Sequence, residues 1–141
     1  MAQRKLSVPS KGSKNKIPTE ASEQRALVKW LNLHPVLKNL FCKIDNEGAR
    51  TPQQGWHAKL LGLRAGVSDL FIYYPSGKYH GLFIEMKRSR TYSRSERMTP
   101  TWQAQEEFQK VVKSVGFCAE TCYGFQDAIR IIESYLLGNF S

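Results

Sequence analysis

Two apolar stretches constrain this chain more than any other feature. One is Gly66-Val67-Ser68-Asp69-Leu70-Phe71-Ile72, the other Leu82-Phe83-Ile84-Glu85-Met86-Lys87, with Pro75-Ser76-Gly77-Lys78 between them. Each apolar run is short enough for a strand, and the Pro/Ser/Gly segment is turn chemistry, so the pair predicts a β-hairpin. Charged groups interrupt both runs where burial should continue. Asp69 opens the first strand. Glu85 and Lys87 lie two residues apart at the end of the second and therefore share a face. Two carboxylates can hold a hard cation such as Mg2+ through oxygen ligands. A neighbouring lysine can position a water and offset charge on a phosphate. That set of groups at one sheet edge is what metal-dependent phosphodiester hydrolysis requires. The Met86 carbonyl, between the Glu85 and Lys87 side chains, is a candidate further ligand. A carboxylate after four apolar residues, as at Glu85, needs a cation or hydrogen-bond donors to offset its desolvation.

Charge supports a polyanionic partner. The formal net charge is +9 over 141 residues, and nucleic acid is the first partner such a balance implies. Residues 1–17 hold Arg4, Lys5, Lys11, Lys14 and Lys16 with no acid and little to bury, which predicts a disordered basic arm preceding a domain over 18–141. The arm either holds phosphates or is a solvated tail. A second basic cluster, Arg88, Arg90, Arg94 and Arg97, directly follows the Glu85–Lys87 strand and is expected to contact DNA backbone. Asn46 and Arg50 are further phosphate candidates, or simply a turn residue and a surface arginine. Cys42, Cys118 and Cys122 are odd in number and show no zinc spacing, which fits a reducing compartment. No apolar run is long enough to cross a membrane, the first residues lack the apolar core of a secretory signal, and no phosphate-binding glycine motif is present.

The remaining elements follow from caps and periodicity. Thr19 caps a helix over 20–33 with Ala26, Leu27, Trp30, Leu31 and Leu33 at helical spacing, ended by His34-Pro35. Residues 41–44 read as a strand, and Asp45-Asn46-Glu47-Gly48 as a turn. A short helix is expected over 53–63 with Ala58, Leu60 and Leu61 inward. Arg88 to Met98 reads as a polar loop. Thr99-Pro100 opens a long helix to Val115 with Trp102, Phe108, Val111, Val112 and Val115 inward. A strand over 117–122 and a helix over 125–137 complete the chain. The expected class is α/β, a small mixed sheet flanked by helices. Trp30, Trp56 and Trp102 are most simply packing residues, although Trp56 beside Gly55 also suits a dimer or DNA surface. His34, His57 and His80 form no metal pattern.

These motifs resemble the VRR-NUC domain, the virus-type replication-repair branch of the PD-(D/E)xK nucleases. The resemblance spans about Glu20 to Leu136. It rests on Glu20-x-x-x-Gln24-x-x-Leu27-x-x-Trp30-Leu31, on Ile44-Asp45-Asn46-Glu47-Gly48-x-Arg50, and above all on Gly66-Val67-Ser68-Asp69 and Ile84-Glu85-Met86-Lys87. Thr99-Pro100, Gln105-x-x-Phe108, Gly116-Phe117 and Cys122-Tyr123-Gly124 extend it. Serine stands at 68 where proline is usual, and Asp45 where proline is frequent. The resemblance implies a PD-(D/E)xK restriction-endonuclease-like core and a Mg2+- or Mn2+-dependent DNA endonuclease. Asp69, Glu85 and the Met86 carbonyl would be metal ligands, Lys87 the catalytic lysine, and Glu20 the extra helix acid, with Glu23 as its alternative. Gln24, on the same helix face as Glu20, and Gln105 are candidates for supporting the site. Small members resemble Holliday-junction resolvases working as homodimers, and a two-fold axis would present two sites to two strands. The implied setting is the cytoplasm of a bacterial or phage-infected cell.

Overall fold

The computed structural model of the chain describes residues 16–45 and 50–140. Helix α1 spans Glu20–Leu33, and the Thr19 hydroxyl accepts the Ser22 N–H at 3.1 Å to cap it. Glu20 and Glu23 in the first turn complement the helix dipole. The helix stops at His34, whose Nδ1 accepts the N–H groups of Val36 and Leu37. Leu27 and Leu31, one turn apart, are fully buried. Leu33, expected inward, is 82% exposed. It lies two residues from Leu31, and the helical rotation of about 100° per residue carries it to the opposite face.

Four strands follow in the order β1-β2-β3-β4: β1 Phe41–Lys43, β2 Leu70–Ile72, β3 Leu82–Lys87 and β4 Cys118–Tyr123. The first three are antiparallel neighbours, and β4 runs parallel to β3. A parallel partner needs a crossover, supplied by the short helix α3 (Arg94–Arg97) and the long helix α4 (Pro100–Ser114). The stretch read as a polar loop thus contains one turn of helix, held by a reciprocal Ser93/Glu96 cap. Helix α5 (Phe125–Leu136) closes the fold.

The register fixes which side chains share a face. Leu70 pairs with Ile84, Ile72 with Leu82, Leu82 with Cys118 and Met86 with Cys122. All seven are buried, in one cluster with Leu27 and Leu31 of α1 and Ala128, Ile132 and Tyr135 of α5. On the opposite face Phe71 stacks on Phe83 at 4.4 Å, and Phe108 of α4 meets Phe83 edge-on at 5.2 Å. Helices therefore cover both faces of a mixed sheet, the α/β class expected.

Helix α4 corrects the reading of its inward side. Val111 and Val115 are exposed. The stripe toward the sheet instead includes Trp102, Gln105, Phe108 and Gln109, because Gln105 reaches Lys87 and Gln109 donates to Thr121. Val111 falls to the flank of that stripe, and Val115 is the C-cap. A second correction concerns helix α2 (Pro52–Leu60), none of whose residues is buried. Leu60 and Leu61, expected inward, are 63% and 76% exposed. Local chemistry defines this helix: a reciprocal Thr51/Gln54 capping box and Pro52 in the first turn. It ends before Gly62, which has φ +103°. Of the turn expected at 45–48, residues 46–48 lie outside the described residues.

Candidate active site

The site forms where β2 begins and β3 ends. Gly66 starts the approach, with φ +80° and its backbone pressed onto the carbonyl of Ala104 in α4. A Cβ there would occupy the same space as that carbonyl, so glycine lets the chain pass against α4 before entering β2. Ser68, next in this turn but one, is buried. Asp69 then stands one residue before β2, and its Oδ2 accepts the backbone N–H of Met86 at 2.7 Å. This bond crosses from the start of β2 to the residue between Glu85 and Lys87. In an extended strand a residue's N–H and C=O project to the same edge, so the Met86 carbonyl also faces the Asp69 side.

Glu85 and Lys87 project toward α4, as period-two alternation requires. Glu85 is 3% and Lys87 8% exposed, and Lys87 Nζ lies 3.8 Å from Glu85 Oε1. Gln105 Oε1 accepts from Lys87 Nζ at 2.8 Å, and the ammonium lies 4.6 Å above the Trp102 ring centre. Such partners offset the desolvation of a buried amine. Trp102 is fixed in turn, because its Nε1–H donates to Glu106 at 3.0 Å and Tyr92 packs on it at 5.2 Å. Its spacing in the sequence marks Trp102 as a packing residue and gives no sign that its ring lies under the lysine.

A cleft of about 790 Å3 opens beside Asp69, between the first turns of α1 and the β1–β2 edge. Glu20, Gln24, Lys43 and Arg88 line it with Asp69. The two candidate helix acids diverge here. Glu20 faces the cleft, whereas Glu23 accepts the N–H of Phe125 and caps α5, whose own N-cap Gly124 offers no side chain. Among the described residues, no three His, Cys, Asp or Glu side chains form a metal-holding group, so Glu20 does not join Asp69 and Glu85 in a closed cluster. Two carboxylates and a carbonyl at one edge nevertheless fit Mg2+, which keeps several waters and binds through one or two carboxylates. All of these donors are hard oxygens, and the cysteines stand apart: burial pushes the Cys118 thiol up to about 11 and raises Cys122 further.

The expected DNA-contacting cations have unequal placements. Arg88 donates from Nη2 to the Ile17 carbonyl at 2.7 Å and from Nε to that of Pro18 at 3.1 Å. Arg90 pairs with Glu96 at 2.7 Å and lies 3.9 Å from the Tyr92 ring centre. The Arg90 hydrogen bond, helped by the Ser93 N–H, holds the Glu96 carboxyl down to about 2. The Tyr92 hydroxyl accepts the Arg88 N–H at 2.9 Å, so Tyr92 organises the loop. Arg94, Arg97, Arg50 and Lys16 are exposed. Asn46, Lys11 and Lys14 lie outside the described residues. His80 packs against Gly116 and Phe117 as a structural residue.

A mixed sheet with helices on both faces, an acid at the start of one strand and Glu-x-Lys at the end of the next define a PD-(D/E)xK-like core. A solved structure described as a VRR_NUC domain protein superposes on this chain with a TM-score of 0.69 and 27% sequence identity, covering 87% of this chain and 92% of that one. The chain carries the VRR-NUC domain fold. No family model and no curated protein matches the sequence.

Proposed function

We propose that this chain is a Mg2+- or Mn2+-dependent DNA endonuclease that cuts four-way junctions as a homodimer. The coarse part of the reading, a nuclease, is supported by the likeness to a VRR_NUC domain protein. The observation that supports a metal site is the Asp69–Met86 bond, which ties one carboxylate to the residue between Glu85 and Lys87. Asp69, Glu85 and the Met86 carbonyl would hold the cation, with Glu20 facing the same cleft. A divalent cation in that place supplies Lewis acidity and makes a bound water easier to deprotonate.

The chain's own groups do the rest. Lys87, steadied by Gln105 and Trp102, would orient the water or offset charge as the water attacks phosphorus in line. The water gives up its proton to solvent and the opposite P–O bond breaks, its leaving oxygen taking up a proton from solvent. Gln24 flanks the cleft. Arg88 holds the carbonyls of Ile17 and Pro18 at the end of β3, and the basic arm over 1–17 would add phosphate contacts. Arg94 and Arg97 extend this surface, while the charge of Arg90 is balanced by Glu96. A two-fold pair of such sites would match the symmetry of a junction. The setting would be DNA repair or recombination in the cytoplasm of a bacterial or phage-infected cell. No helix among the described residues is long and apolar enough to cross a membrane.

The test is cleavage of end-labelled four-way junction, flap, duplex and single strand with Mg2+, Mn2+ or EDTA. Paired, symmetric junction cuts that need the metal are expected. Metal-dependent cuts confined to flaps or nicks would replace the junction assignment with a repair endonuclease. Tight binding without any cutting would leave a DNA-binding module.

A further inference from the structure

Helix α2 carries an apolar face that no element among the described residues covers. Trp56 is 66% exposed and Leu60, one turn on, 63% exposed, with Leu61 beside them. An indole left this open is unusual, since Trp is among the most thoroughly buried side chains on average. The surrounding charge is of one sign: residues 50–68 contain Arg50, Lys59 and Arg64, with His57, and no acid. A groove of about 390 Å3 leads on from Lys59 and Arg64 along the start of α4 to Gln105, the residue that holds Lys87.

We infer that this face of α2 docks nucleic acid: Trp56 stacks on an unpaired base, and Lys59 and Arg64 hold the phosphates of a strand running toward Lys87. This rests on the nuclease reading and names what its substrate must offer, a base free of its partner near the scissile phosphate. Stacking on an aromatic side chain suits any base and needs the ring exposed, as it is here. Charge complementarity selects the occupant. A second copy docked through the same face about a two-fold axis would bring Lys59 and Arg64 against cations with no acid to meet them. The chain's own residues 1–16 are basic too. DNA supplies both the phosphates and the flat apolar rings.

The experiment is fluorescence anisotropy of the full chain in EDTA, where no cutting occurs, on labelled single strand, four-way junction and blunt duplex. Trp56→Ala is expected to weaken binding to single strand and to any form with unpaired bases about tenfold. Blunt duplex should change little, and Trp56→Phe should keep most of the affinity. Lys59→Ala and Arg64→Ala should weaken all forms and flatten the salt dependence. Thermal melts of these surface variants, expected to match wild type, confirm folding. Equal affinity of Trp56→Ala and wild type for every form overturns the inference. So does sedimentation showing that Trp56→Ala splits a wild-type dimer, which would assign the face to a second copy. A wild type that binds no DNA overturns both this inference and the nuclease reading. A wild type that binds with the Trp56 pattern but never cuts overturns only the nuclease reading.

Discussion

The molecule holds two lysine–tryptophan neighbourhoods, and they are treated in opposite ways. Lys87 and Trp102 are buried together, 8% and 9% exposed, with every polar tip assigned to Gln105, Glu85 or Glu106. Lys59 and Trp56 stand on a helix without a single buried residue. The same residue types therefore do different work. Where solvent is excluded, an ammonium interacts strongly with whatever approaches and its direction is fixed, which suits chemistry on a phosphate. Where solvent is admitted, the cation is screened and the ring is free to meet a base, which suits docking.

The contrast is broken most sharply at Lys87. Lys87→Ala should slow cleavage by about 10²–10⁴ while DNA affinity falls little, measured by single-turnover rates beside equilibrium binding. Gln105→Ala, which frees the lysine without removing it, should cost less and also shift the pH–rate profile; an unchanged profile would make Gln105 a packing residue. Stability sharpens the comparison next. Leu27→Ala in α1 empties a fully buried position and should cost about 2–5 kcal/mol in urea unfolding. Leu60→Ala in α2 should stay within about 0.5 kcal/mol. Equal losses would mean that α2 is packed after all.

The smallest effect is expected at the surface brace beside the site. Glu96 is more acidic in the fold, at about 2 against an ordinary 4.5. Its contribution is present above about 4.5 and is lost as pH falls through about 2. Amide-exchange protection over residues 88–98, taken relative to the intrinsic rate at each pH, should therefore fall in that window, and Glu96→Gln should remove that fall. The rest of the sheet should not respond in step.

Much of this arrangement was legible in the sequence. Period-two alternation put Glu85 and Lys87 on one face, and Thr19, Thr99, Pro100 and Gly116 marked helix ends from local chemistry alone. What escaped was set by tertiary packing. Gln105 stands in the sequence as a candidate for supporting the site and Gln109 looks like helix surface, yet both lie on the inward stripe of α4 because polar groups of β3 and β4 find partners there. Glu23 stands in the sequence as the alternative to Glu20, and only α5, a hundred residues later, shows that it serves as a cap. Apolar spacing gives Leu60 and Leu61 the look of core, but no other element among the described residues packs over α2.

The central claim is that Asp69 and Glu85 are the chemical groups of a metal-dependent nuclease. The most direct test measures Mg2+-dependent cleavage and DNA affinity together for wild type, Asp69→Asn and Glu85→Gln. Cleavage should fall by roughly a thousandfold or more in both variants, since the ion's several kcal/mol of transition-state stabilisation would be lost, with affinity nearly unchanged. Metal-dependent cleavage at wild-type rate in either folded variant would contradict it.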